Sequence, residues 1–400
     1  MKSRAAVQNL ATNVAKHLDN IVPVEYEDAQ RGNHFNINGG TPGAILYLSV
    51  LDALFPDEGY DLRAHTYATT MISEYRLNPN IGIGLFGGTT LLAWCLRAIS
   101  RDGTRYQGAI SDLESRIEFQ ITQYLTAIAK MDSPIPSEYY DVISGLSGVL
   151  LYSSRFRSPK LLSTSQQIGN TFCDILSSWG VKGFGSLSAV SRQVSPGHED
   201  ETDYGYAHGL LGVLMSCLVS DSTKNKDVLL TTELDKLIHL STESNSSLLP
   251  YSSGNLQAGL SVGRYAWCYG NVPFYFLSQL LDPVDPTRAQ VLADLAVAPL
   301  SLAHGADRND FGMIGLIDNS ICHGRAGVLL GLQPSPVSAD FDSIQTRLVE
   351  DIDYTLDEVN DGGFLEGDLG TIAVRLALEC SSSIGRLPAF FPFVSPMLWG

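Results

Sequence analysis

The sequence has no cluster of basic residues. Its 26 Lys and Arg stand against 43 Asp and Glu, a net charge of −17, and no Lys/Arg run is present to replace the counterions of a phosphate backbone. A nucleic-acid partner is therefore excluded. Long apolar runs are missing as well: the longest, within HGLLGVLM and RAGVLLGL, fall far short of the roughly 18 residues that span a bilayer. The opening MKSRAAVQNLATNVAKHLDN is polar and helix-patterned, without the apolar core or cleavage site of a signal peptide, so a cytoplasmic chain is expected. Cysteine is scarce, with six in 400 residues, too few for a secreted disulfide framework. Each is then core filler, a reactive thiol or a metal ligand.

Glycine is what the sequence has in excess, 37 residues where an ordinary domain carries about 7%. Many fall in one pattern, Gly followed three residues later by Gly and then by an apolar run. It occurs at Gly40/Gly43, Gly84/Gly87, Gly145/Gly148, Gly209/Gly212, Gly324/Gly327 and Gly367/Gly370. Gly270 with Pro273 (GNVPFYFLSQLL) fills the one gap in the series. The copies lie roughly 43 to 64 residues apart, the spacing of a structural repeat.

Each interval also holds one longer amphipathic segment, at about 5–20, 61–77, 112–130, 160–178, 227–241, 286–302 and 343–358, with apolar residues at helical spacing. The repeat is thus a polar-faced helix, a loop and a glycine-led apolar helix, with almost no convincing strand. Glycine at a helix start removes side chains where backbones approach closely. The more apolar helices line the inside and the amphipathic ones the outside, and neither end carries a strongly polar capping repeat. These points predict an all-α chain, residues 1–400 as one α/α toroid domain of seven inner and seven outer helices. A long Gly- and Ser-rich loop is expected at about 180–205.

If the repeats superpose, the residues just before each first glycine share one end of the ring. In the consecutive fourth, fifth and sixth repeats this zone holds His208, Cys268, Cys322 and His323. Two thiolates and an imidazole suit zinc. Cys268, Cys322 and His323 supply three ligands, and three with an open fourth position is the catalytic arrangement. For the two cysteines the plainer alternative is packing as small buried hydrophobes. His208 is a candidate for proton transfer, with a hydrogen-bonded core histidine as its alternative. Asp141, four residues before Gly145, has the placement to orient His208 or to cap a turn. Arg264, six before Gly270, is either a surface residue or a stabiliser of developing negative charge. Cys95, Cys173 and Cys217 read as core, Cys380 carries no signal, and the remaining histidines read as structural or solvated.

YDVISGLSG, AHGLLG, RYAWCYG and ICHGRAG, in that order over most of the chain, resemble the lanthionine synthetase C family, the cyclases of lanthipeptide biosynthesis. The resemblance implies the same α/α toroid and one zinc ion per chain, held by Cys268 of WCYG and by Cys322 and His323 of CHG. It implies His208 and Asp141 as the acid/base pair, with Arg264 and Tyr269 lining the site. Pro273, where a second glycine would complete the repeat, is the main departure. The chain length resembles that of the stand-alone cyclases of class I pathways. That implies a dehydrated precursor peptide as substrate, a separate dehydratase, and an ABC transporter as a partner in a membrane-associated synthetase complex. The implied reaction adds peptide Cys thiols to dehydroalanine and dehydrobutyrine, forming lanthionine and methyllanthionine. Two other readings stay open: a zinc transferase of the family that adds glutathione, and a helical-ring scaffold without chemistry.

Overall fold

Apolar and amphipathic helices alternate along the chain. The computed structural model describes residues 3–22, 35–101, 103–132, 134–185, 201–220, 227–243, 248–254, 263–304, 310–312, 314–332, 339–355 and 362–384. The helix pairs begin with α1 (Arg4–Lys16) and α2 (Thr41–Leu54), α3 (Tyr60–Leu77) and α4 (Thr89–Ala98), and α5 (Gln107–Ile128) and α6 (Leu146–Phe156). They continue with α7 (Leu162–Trp179) and α8 (Leu210–Val219), and α9 (Asp227–Glu243) and α10 (Val272–Leu281). The last two pairs are α11 (Pro286–His304) with α12 (Arg325–Gly331), and α13 (Ala339–Thr355) with α14 (Asp368–Ile384). Among the described residues there is no strand, only isolated bridges at Ile135–Phe184 and Asp203–Ser252. No helix there is long and apolar enough to cross a membrane. Residues 186–200 of the expected long loop lie outside the described residues.

The two helix types differ as their sequences require. In α2 every residue from Thr41 to Leu51 is buried, and α8 is buried from Leu210 to Cys217. By contrast, α3 buries only Tyr60, Ala64, Tyr67, Ala68 and Met71, a single stripe at helical spacing. Cys95, Cys173 and Cys217 are buried in these helices as expected for core residues.

The glycine pattern has a steric cause. Glycines Gly40, Gly88, Gly145, Gly209 and Gly324 are the N-caps of five apolar helices. At Gly43, Gly148, Gly212 and Gly370 an added Cβ would collide with the carbonyl oxygen six residues earlier, on Ile37, Val142, Tyr206 and Phe364 respectively. The first turn of the helix therefore lies directly on the loop that precedes it. Two pairs depart from the expected frame. The cap of α4 is Gly88, four residues beyond Gly84, and the turn at 85–87 before it matches those before the caps Gly40, Gly209 and Gly324. In the fifth pair Asn271 is the cap, and Gly270 adopts a left-handed φ of 80°. There the close approach moves to Gly270, whose Cβ would collide with the Arg264 carbonyl. Pro273 then falls in the first turn of α10, where its missing N–H costs nothing.

The chain divides into two compact units. Residues 1–82, 86–113 and 317–400 form the first. Within it α14 packs against α1, α2 and α12, and α2 packs against α3. Its helix-capping loops are joined by backbone hydrogen bonds: Cys322 N donates to Leu365 O, Phe364 N to Ile37 O, and Ile37 N to Phe86 O. The second unit comprises 83–85 and 114–316, where α8 packs against α6, α9 and α10. The same device recurs there, with Val142 N donating to Ala207 O and Ala207 N to Cys268 O.

Candidate functional site

In the second unit the loops before α6, α8 and α10 bring together most of the expected residues. Asp141 lies just ahead of α6 and is buried. Its Oδ1 accepts the backbone N–H groups of Ser144 at 2.6 Å and Gly145 at 2.9 Å, which pins the carboxylate against the turn that leads into the helix. Its Oδ2 lies 2.7 Å from Nδ1 of His208, at the cap of α8. A carboxylate engaged in this way is an acceptor, which places the imidazole proton on Nδ1 and leaves Nε2 as the other working atom. The His208 side chain is 45% exposed while that of Asp141 is 3% exposed. The ring is therefore anchored on one side and open on the other.

The His208 loop is fastened to the loop that carries Cys268. Both Tyr206 N and Ala207 N donate to the Cys268 carbonyl, at 2.9 and 3.0 Å. Cys268 is buried. Its neighbour Tyr269 lies over Gly205, where a Cβ would strike the ring, and meets Tyr251 edge to face with centroids 5.1 Å apart. The Tyr269 hydroxyl donates to Oδ2 of Asp203 at 2.7 Å. Burial and the adjacent Asp203 carboxylate push the phenol far above its ordinary value. Arg264 donates from Nε to the Gly315 carbonyl at 3.3 Å, and burial raises the Tyr251 phenol above its ordinary value against the opposing charge of Arg264.

Asp203, hydrogen-bonded to Tyr269, is a neighbour of these residues that the sequence pattern does not reveal. Burial raises its carboxyl to about 6, against the opposing hydrogen bonds from Tyr269 and Gly205 and the nearby His208. In sequence it is one Asp in the turn DYG, and only its partner Tyr269 distinguishes it.

In the first unit Cys322 and His323 immediately precede the Gly324 cap of α12, with Cys322 half-buried. The His323 N–H donates to the Ser320 hydroxyl at 3.2 Å, and its Nε2 lies 3.3 Å from Oδ2 of Asp318. By donor chemistry Cys268, Cys322 and His323 are, among the described residues, a group that could hold a metal ion. Two thiols and an imidazole match the preference of zinc. Outside these loops, His65 pairs with the Tyr106 hydroxyl and His239 with Glu243, both on exposed faces.

Apolar helices capped by glycine, with histidines and cysteines set just before the caps, define a class of protein. The Lanthionine synthetase C-like protein family matches residues 33–382, and the chain belongs to it. Nisin biosynthesis protein NisC of Lactococcus lactis subsp. lactis is 23% identical over 406 residues, covering 92% of this chain and 93% of that protein. Among solved structures, Nisin cyclase is similar with a TM-score of 0.75 at 20% identity, over 98% of each chain. That likeness shows the fold, and the α/α toroid expected from the glycine pattern rests on it.

Proposed function

We propose that this protein is a zinc-dependent lanthipeptide cyclase, which closes thioether rings in a precursor peptide whose Ser and Thr residues are already dehydrated. The observation that carries this reading is the His208–Asp141 pair at 2.7 Å, in a loop hydrogen-bonded to that of Cys268. Family membership and the names of the two relatives, one a nisin biosynthesis protein and the other a nisin cyclase, support the same chemistry.

Cys268, Cys322 and His323 would hold the metal and leave one position for substrate. When bound, zinc supplies the Lewis acidity that keeps a peptide thiol deprotonated at neutral pH. The rest falls to the chain. The new C–S bond forms at the β-carbon, the Cα–Cβ double bond is consumed, and the α-carbon needs one proton. Asp141 keeps the Nδ1 proton of His208 in place, so Nε2 is the atom that gives or relays the proton. Arg264 would steady the enolate oxygen. Tyr269, its hydroxyl proton committed to Asp203, forms a wall of the site. A dehydratase must act first on the same peptide, and a transporter would export the product. We place the protein in the cytoplasm, beside such a complex.

Metal analysis after dialysis should find about one zinc per chain, falling sharply in Cys322→Ala. His208→Ala should keep its zinc yet fail to close rings in a dehydrated peptide, read by mass spectrometry after thiol alkylation. Unchanged ring formation in His208→Ala would overturn its role. Addition of glutathione in place of the tethered thiol would identify a transferase, and a fourth protein ligand in the zinc coordination shell would identify a scaffold.

A further inference from the structure

Two aspartates occupy one place in the repeat. Asp203 stands six residues before Gly209, the cap of α8, and Asp318 six before Gly324, the cap of α12. In each loop one carboxylate oxygen accepts the backbone N–H two residues on. Asp203 Oδ1 takes Gly205 N at 2.6 Å, and Asp318 Oδ1 takes Ser320 N at 2.9 Å, joined by the Ser320 hydroxyl at 2.8 Å. In each, a Cβ on the capping glycine would collide with that same oxygen. Each second oxygen turns to a residue of the candidate site: Asp203 Oδ2 to the Tyr269 hydroxyl at 2.7 Å, and Asp318 Oδ2 to His323 Nε2 at 3.3 Å. The Asp318 main chain is itself fixed, its carbonyl accepting from both the backbone N–H and the guanidinium of Arg325 at 3.0 Å.

We propose that Asp318 is a positioning residue for His323, fixing the proton on Nε2 so that Nδ1 is the nitrogen left for the metal. An imidazole can ligate only through a nitrogen that carries no proton. A carboxylate beside the other nitrogen decides which one that is and holds the ring in plane with it. The carboxylate needs a fixed aim to do so. Here the two bonds from Ser320 and the space over Gly324 supply it. The same construction at Asp203 ends on a tyrosine instead, which marks it as a device of the loop that these two repeats direct to different residues. The inference rests on the reading of His323 as a metal ligand.

Chelator competition with zinc alone tests it, on the full chain. Asp318→Asn should lose about 10- to 100-fold in zinc affinity, the usual effect of removing such a partner. Asp351→Asn removes an equal charge from the Arg325 and Arg347 ion pairs and should bind zinc as the unaltered protein does. Equal affinity in Asp318→Asn and the unaltered protein, or equal losses in both variants, would overturn the proposal. Should Asp318→Asn fail to fold, long-range proton–nitrogen spectra of the unaltered, zinc-loaded protein with labelled histidine decide the matter. A protonated Nε2 and metal-bound Nδ1 on His323 support the assignment, and the reverse tautomer refutes it. If the unaltered protein binds no zinc at all, it is the metal reading that fails.

Discussion

The environment of Asp203 departs from what its sequence context suggests. Its carboxyl is buried and raised to about 6, so between its unfolded value near 3.8 and that point the folded chain holds a proton that the unfolded chain releases. Stability therefore falls as pH rises through this window. Asparagine keeps the neutral shape and removes the titration. In urea denaturation the stability of Asp203→Asn should improve relative to the unaltered protein by about 1–2 kcal/mol between pH 5 and pH 7.5. A difference that does not change with pH would show that Asp203 ionises normally. His208, Cys268, Cys322 and His323 were legible because each adjoins a glycine of the pattern. Asp203 and Asp318 were not, because an Asp two residues before a turn reads as ordinary turn chemistry. Only the hydrogen bonds with Tyr269 and Ser320, and the contact with His323, give them meaning.

At the scale of the helix pair, the second glycine of four motifs, at Gly43, Gly148, Gly212 and Gly370, is fixed by contact and not by backbone conformation. A methyl group at Gly212 would meet the Tyr206 carbonyl, just ahead of His208. Alanine is worth about 1 kcal/mol over glycine inside a helix, but overpacking a tight contact costs about 1–3 kcal/mol, and here the contact wins. Gly212→Ala should lower the urea midpoint. Gly108→Ala in α5, where nothing lies within 4 Å, should leave it unchanged or raise it slightly. Equal midpoints for the two variants would show that the loop carbonyl yields freely. The periodicity placed the seven amphipathic helices to within about five residues at each end. It misplaced the frame in two pairs, because GLFGG offers two possible caps and because the left-handed Gly270 makes the close approach of a second glycine three positions early. Neither shift leaves a trace in hydrophobic spacing.

At the scale of the whole chain, the lack of polar capping repeats predicts closure of the repeat series, while hydrophobic spacing does not reveal where the joint lies. It lies in the first unit, where α14 packs against α1 and α2. Asn38, just before the α2 cap, bridges 328 positions of sequence. Its Oδ1 accepts the backbone N–H groups of Leu365 and Glu366, each at 3.0 Å, and its amide donates to the Glu366 carboxylate at 2.9 Å. Phe364 N adds a bond to the Ile37 carbonyl at 3.3 Å. One side chain therefore satisfies two backbone donors of the last loop. Alanine there would leave both to water or unpaired, at about 1–3 kcal/mol for each that stays buried. The loss should be local, because the other loops keep their own backbone bonds. Hydrogen exchange of Asn38→Ala should quicken at Leu365 and Glu366, and α14 should become easier to cleave by protease. Exchange at Val142 and Ala207, joined by their own hydrogen bond, should stay as it was. Faster exchange at all four amides would mean that Asn38 holds the entire fold together, and unchanged exchange at Leu365 would mean that helix packing alone closes the series.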